Sequence, residues 1–134
     1  MKALSVFHPG GSRIATGEQT IEVRGWRPDL CVGEDLAIVE NHKPLTFDGD
    51  TDLNGRVVAI VKLKAVRPFT TADLGRACAL FFEEGKYAWE LTDVRPIKPP
   101  RGPVTATCKI YDIDVGLDEL VRGDMAPKSR RSRA

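Results

Sequence analysis

Residues 17–26 read Gly17-Glu18-Gln19-Thr20-Ile21-Glu22-Val23-Arg24-Gly25-Trp26, and from Thr20 onward polar and apolar residues alternate. Side chains of a strand point to opposite faces in turn, so this stretch predicts a half-buried strand. Ile21 and Val23 share its apolar face. Thr20, Glu22, Arg24 and Trp26 share the other, where a buried or cleft-lining role is predicted for Glu22 and Arg24. Immediately before it, Gly11–Thr16 is long enough for one or two helical turns, with Ser12 placed as a cap and Gly17 as the stop.

Working outward, Lys2–Val6, Leu36–Glu40, Arg56–Lys64, Tyr87–Arg95 and Val104–Ile113 carry strand signatures. Asn41–Asn54, with Pro44, Asp48, Gly49, Asp50 and Asp52, reads as loop. Thr70–Phe82 predicts a helix of about ten residues, capped by Thr70 or Thr71 with Asp73 in its first turn. The prolines at 96, 99, 100 and 103 predict a connector between two strands that neighbour each other in antiparallel or barrel fashion. The fold class expected is α+β, mostly β: a small mixed β-barrel of five to six strands with about two short helices outside. Residues 1–115 form its single domain, and 116–134 a flexible basic tail.

The chain has 134 residues with 42% hydrophobic and 29% charged content, which fits one soluble domain and excludes a largely disordered chain. No apolar run reaches the length of a membrane span. The stretch before Pro9 is too short for a signal peptide, so the cytoplasm is the expected location. Three cysteines without C-x-x-C spacing argue against a disulfide framework or a zinc ribbon. Net charge is +1, but four of the twenty basic residues (Lys128, Arg130, Arg131 and Arg133) lie in the last eight. Residues 1–126 therefore hold sixteen basic against nineteen acidic residues, a balance of −3. Bulk charge does not make the folded part a polyanion platform.

The run Lys2-Ala3-Leu4-Ser5-Val6, Pro9, and Gly17-Glu18-Gln19-Thr20-Ile21-Glu22-Val23-Arg24 resembles the ASCH domains of the PUA-like superfamily. Their signature is G-x-K-x-x-E-x-R after a K-x-L-S strand. Tyr87-Ala88-Trp89-Glu90-Leu91, Arg95-Pro96 and the following prolines are similar to the end of that family's domain. The resemblance spans residues 1 to 115 and implies a small barrel whose cleft serves RNA, nucleosides or similar ligands. Three departures stand out. Gln19 replaces the signature lysine, Gly10 replaces an aromatic, and a helical insertion has shrunk to residues 41–54. In relatives similar to bacterial acetylcytidine amidohydrolases a Lys and a Thr of this motif do the chemistry. The aligned positions here are Gln19 and Glu22, and an amide cannot replace an ammonium as base or charge partner.

Arg24 presents a rigid fork suited to a phosphate or a base carbonyl, and Trp26 a stacking surface. Glu22 orients Arg24 or accepts a base amino proton, and Lys62 and Lys64 share a face that adds charge to the cleft. Ser5, Gln19 and Thr20 complete the ligand-binding set. The first expectation is thus a module binding RNA or a nucleotide-like small molecule, acting as a monomer. An enzyme on RNA or modified nucleosides is the second, with His8, Glu22 and Lys62 as acid–base residues. A protein-interaction domain with a structural Glu22–Arg24 pair is the third. His8 and His42 have no cysteine or carboxylate at ligand spacing, so neither metal nor cofactor is expected.

Overall fold

The computed structural model describes residues 1–114. The predicted tail, 116–134, and its helical turn at 117–121 lie outside the described residues. Six strands and one helix follow in the order β1 (Lys2–Phe7), α1 (Gly10–Thr16), β2 (Ile21–Arg24), β3 (Asp35–Asn41), β4 (Thr51–Pro68), β5 (Tyr87–Thr107) and β6 (Ile110–Asp112). They form one mostly antiparallel sheet in the order β2-β5-β4-β3-β1-β6, with β1 and β3 parallel. The α+β, mostly β architecture is the expected one.

Even-numbered positions of β1 and β3 (Leu4, Val6, Leu36, Ile38) enter one core with Ile14 of α1, Val61 and Trp89. Odd-numbered ones (Ala3, Ala37, Val39) enter a second core with Ile60 and Ile97. Period-two alternation thus supplies both faces. Gly10 and Gly11 let α1 rest on the sheet: a Cβ on Gly11 would stand 2.9 Å from the Glu40 Cβ. Gly17 ends α1 at φ 83°, as predicted, whereas Ser12 caps nothing, because Pro9 is the N-cap residue.

Three segments differ from expectation. The proline-rich stretch is no connector: Tyr87–Thr107 is one 21-residue strand along β4, with register shifts where the prolines fall. Proline removes only its own ladder donor and is accommodated at such irregularities. Tyr87–Arg95 and Val104–Thr107 are therefore one strand, and β6 is only three residues long. The predicted helix at 70–82 shrinks to a 3-10 turn, Thr71–Asp73, followed by turns. Asp73 is committed to Thr70 N–H and to Arg67, Gly75 is a poor helix former, and Cys78 has φ 52°. Finally, β4 begins at Thr51, within the predicted loop. The remaining turn is built on Asp50, which accepts from Thr46 and Phe47 N–H, and on Asp52, which accepts from His42, Lys43 and Asn54 N–H.

The sheet is not closed by backbone hydrogen bonds, since β2 and β6 end the strand order. It curls, however, until a side chain of β2 reaches β1. β6 covers only Lys2, Ala3 and Leu4 of β1. Beyond that point the Ser5 carbonyl accepts a 2.7 Å hydrogen bond from Arg24 Nη2 of β2. The expected barrel is thus an open, curled sheet whose seam is bridged by an arginine side chain.

Candidate functional site

A cavity of about 310 Å³ opens at this seam. Ser5 and Phe7 of β1, Arg24 and Trp26 at the end of β2, Asn41 of β3 and Lys109 of the β5–β6 turn line it, with Asp48 and other residues of the β3–β4 loop at its rim. Arg24 is held on two sides. Its Nε donates 2.7 Å to Glu22 Oε2, which also faces Nη2, and Nη2 donates to Ser5 O. Nη1 makes no hydrogen bond among the described residues. Glu22 is buried, and its second oxygen accepts from Gln19 Nε2 at 3.0 Å, while the same amide donates to Ile21 O. In this chain, then, the signature lysine position carries a neutral amide that fixes the glutamate that fixes the arginine. Fork geometry and buried partners leave the guanidinium one open edge.

Trp26 lies past the end of β2 yet borders the same cavity. Its ring packs edge-on against buried Trp89 at 4.9 Å, and its carbonyl accepts from Trp89 Nε1. Ser5 is buried, and its hydroxyl shares a 2.8 Å hydrogen bond with the Tyr111 hydroxyl. Burial pushes the Tyr111 phenol above its ordinary pKa, outweighing its hydrogen bonds. Lys109 sits in the left-handed region at φ 61°, turning the chain into β6 beside the cavity. Asn41 Oδ1 is buried without a partner among the described residues, although its Nδ2 donates to Lys43 O.

The structure does not bring all predicted site residues here. Thr20 serves the sheet edge through its backbone, donating to Arg76 O and accepting from Leu91 N–H. Lys62 pairs with Asp35 at 3.2 Å and donates to Gly33 O, away from the seam, and Lys64 is exposed. His8 faces buried Glu40, Nδ1 to Oε1 at 3.2 Å, and stacks on His42 with ring centres 4.5 Å apart. The acid–base set His8, Glu22 and Lys62 is thus dispersed, and none of the three lines the seam cavity. Burial raises the Glu40 pKa, but the Ser12 N–H, His8 and the Ser12 hydroxyl more than offset this and hold the carboxyl below its usual range. Phe7, Asn41 and the Glu40 cluster were missed in the sequence, because they are assembled by the parallel β1–β3 pairing. Local periodicity carries no such signal.

The ASCH domain family matches residues 4–101 of this sequence. The chain belongs to that family. The ASCH family is linked to RNA binding, and its fold is consistent with the open six-stranded sheet. Among solved structures, an ASCH protein from Zymomonas mobilis is similar to it at 18% identity and TM-score 0.55, covering 81% of this chain and 87% of that one. A serine-to-alanine mutant of the same Zymomonas mobilis protein aligns at 19% identity and TM-score 0.57, over 84% and 87% of the two chains. A tyrosine-to-phenylalanine mutant aligns at 20% and 0.53, over 94% and 84%. At such identity the likeness concerns the fold. No curated protein matches the sequence. No helix among the described residues is long and apolar enough to cross a membrane.

Proposed function

We propose that this ASCH domain binds single-stranded RNA, or a nucleotide-sized part of it, in the seam cavity. The observation that carries the reading is Arg24. Two of its nitrogens are fixed by Glu22 and the Ser5 carbonyl, Nη1 makes no hydrogen bond among the described residues, and Arg24 borders the cavity together with Trp26. A pre-set guanidinium edge suits a phosphate or base carbonyl, and the neighbouring indole suits a base face. Lys109 adds a cation, and the Asp48 carboxylate at the rim suits a base amino group. The dispersal of His8, Glu22 and Lys62 favours binding over hydrolysis.

The test is titration of short single-stranded RNA and of mononucleotides, followed by tryptophan fluorescence. The reading predicts quenching that vanishes in Trp26→Ala and affinity that drops in Arg24→Lys, which keeps the charge but not the fork. Unchanged affinity in both variants refutes it.

A further inference from the structure

We propose that His8, Glu40 and His42 form a binding site for a divalent transition-metal ion, with Zn²⁺ as its occupant. The site follows from the topology. β1 and β3 run parallel with Phe7 opposite Asn41, and His8 N–H donates 2.8 Å to Asn41 O. The residues just past both strand ends are therefore neighbours. Alternation turns Glu40, two positions before His42, to the same side.

The donor atoms gather in one place, with one pair at ligand separation and His42 to be drawn in by a side-chain rotation that unstacks it from His8. One ligand atom from each of the three side chains lies within 4.8 Å of the others. The His8 Nδ1 to Glu40 Oε1 distance is 3.2 Å. A tetrahedral zinc centre with arms of about 2.0–2.1 Å places its ligands about 3.3 Å apart. Two imidazole nitrogens and one carboxylate oxygen suit Zn²⁺, Co²⁺ or Ni²⁺ rather than Mg²⁺ or Ca²⁺, which take oxygen donors. Both histidines are exposed, which leaves the fourth position to water.

Glu40 is the second, independent argument. Its side chain is buried, and His8 is its only basic partner among the described residues. A buried carboxylate calls for a firm counter-charge. Its two oxygens are oriented by Ser12, Oε2 through the backbone N–H at 2.7 Å and Oε1 through the hydroxyl at 2.9 Å. Such outer partners aim metal ligands. The ion would tie the ends of β1 and β3 to the start of α1, next to the Phe7–Asn41 wall of the cavity.

The experiment uses the full chain without a polyhistidine tag, its cysteines kept reduced. Zn²⁺, Co²⁺ and Mg²⁺ are titrated by calorimetry and by thermal unfolding, each variant being compared with its own metal-free form. One Zn²⁺ per chain is expected, with a rise in Tm that Mg²⁺ does not give. His8→Asn and His42→Asn should weaken Zn²⁺ by at least tenfold. Ser12→Ala, which touches no metal, should weaken it about 10-fold through loss of Glu40 orientation. The Co²⁺ form should show weak d–d bands without a sulfur charge-transfer band. The proposal is overturned if Zn²⁺ in excess does not bind, if the histidine variants bind it as tightly as the natural chain, or if the cobalt spectrum reports thiolate ligation by Cys31, Cys78 or Cys108.

Discussion

Arg24 and Arg67 each sit beside a buried carboxylate, and they do different work. Arg67 donates through Nε to Glu90, through Nη1 to Asp73 and the Pro68 carbonyl, and through Nη2 to Asp73. All three of its nitrogens are engaged, and they lock the 3-10 turn onto β4 and β5. Arg24 has the same kind of partners, but its Nη1 makes no hydrogen bond among the described residues, and the residue borders a cavity. An arginine saturated from within has no donor left for a ligand, whereas one held on two sides keeps a donor that a ligand could use.

The largest effect should come from the saturated network. Asp73→Ala takes Nη2 and one bond of Nη1 from Arg67, which keeps Glu90, and leaves the Thr70 N–H without its acceptor; losing a buried carboxylate with several such bonds costs about 3 kcal/mol. Urea unfolding at neutral pH should show it as a lower midpoint. The pH dependence has a defined sign. The Arg67 hydrogen bonds, against burial and aided by Thr70, hold the Asp73 carboxyl well below the usual carboxylate range. Its contribution is therefore complete above its unfolded pKa, near about 3.9, and fades as pH falls further. The gap between Asp73→Ala and the natural chain should persist from pH 5 to 7 (about that range) and narrow in strong acid. A gap that widens in acid would break the assignment.

Arg24→Ala comes next. It should weaken RNA binding by about 1–3 kcal/mol, the cost of removing a charge-assisted hydrogen bond. It should also lower stability by about 1 kcal/mol, because Glu22 keeps only Gln19 and the seam loses its bridge to Ser5. The paired readout sharpens the contrast with Arg67. Reduced stability with intact binding would make Arg24 a second Arg67.

These contrasts also mark what was legible beforehand. The alternation of residues 20–26, the stop at Gly17 and the ASCH signature pointed to β2, the end of α1 and the family. They also put Glu22 beside Arg24, as the hydrogen bond between them has it, whereas Trp26 lies past the end of β2 and borders the cavity without Glu22. Long-range facts were hidden. Prolines that look like breaks lie inside a 21-residue strand, tolerated by shifted register. Thr70–Phe82 has helical spacing, but the tertiary claim of Arg67 on Asp73 overrides it. The meeting of His8 with His42 depends on two strands distant in sequence pairing in parallel.

A smaller effect tests why the signature lysine can be replaced. Gln19 is buried and supplies one amide to both Ile21 O and Glu22 Oε1. Gln19→Ala should cost about 1–2 kcal/mol in thermal unfolding, the penalty of leaving buried acceptors unmet. RNA affinity should fall less than in Arg24→Ala, since Arg24 keeps its own bonds to Glu22 and Ser5. An equal fall would move the binding role from the guanidinium to the glutamate.

The smallest effect separates charge from stacking. Lys62 is paired with Asp35 on a partly exposed surface away from the seam, so Lys62→Ala should change stability by less than about 1 kcal/mol and RNA affinity not at all. The four basic residues after Pro127 have no acidic neighbours in that stretch, and residues 1–126 carry −3. Attraction of RNA from a distance is therefore expected to rest on them. Deleting residues 127–134 should flatten the salt dependence of binding by about 0.7 for each phosphate no longer neutralised, with base preference unchanged. Trp26→Ala should do the reverse, because stacking energy is nearly indifferent to salt. Affinities measured across a salt series decide it. A slope that survives the deletion but falls in Lys109→Ala would place the electrostatics in the cavity itself, beside Arg24.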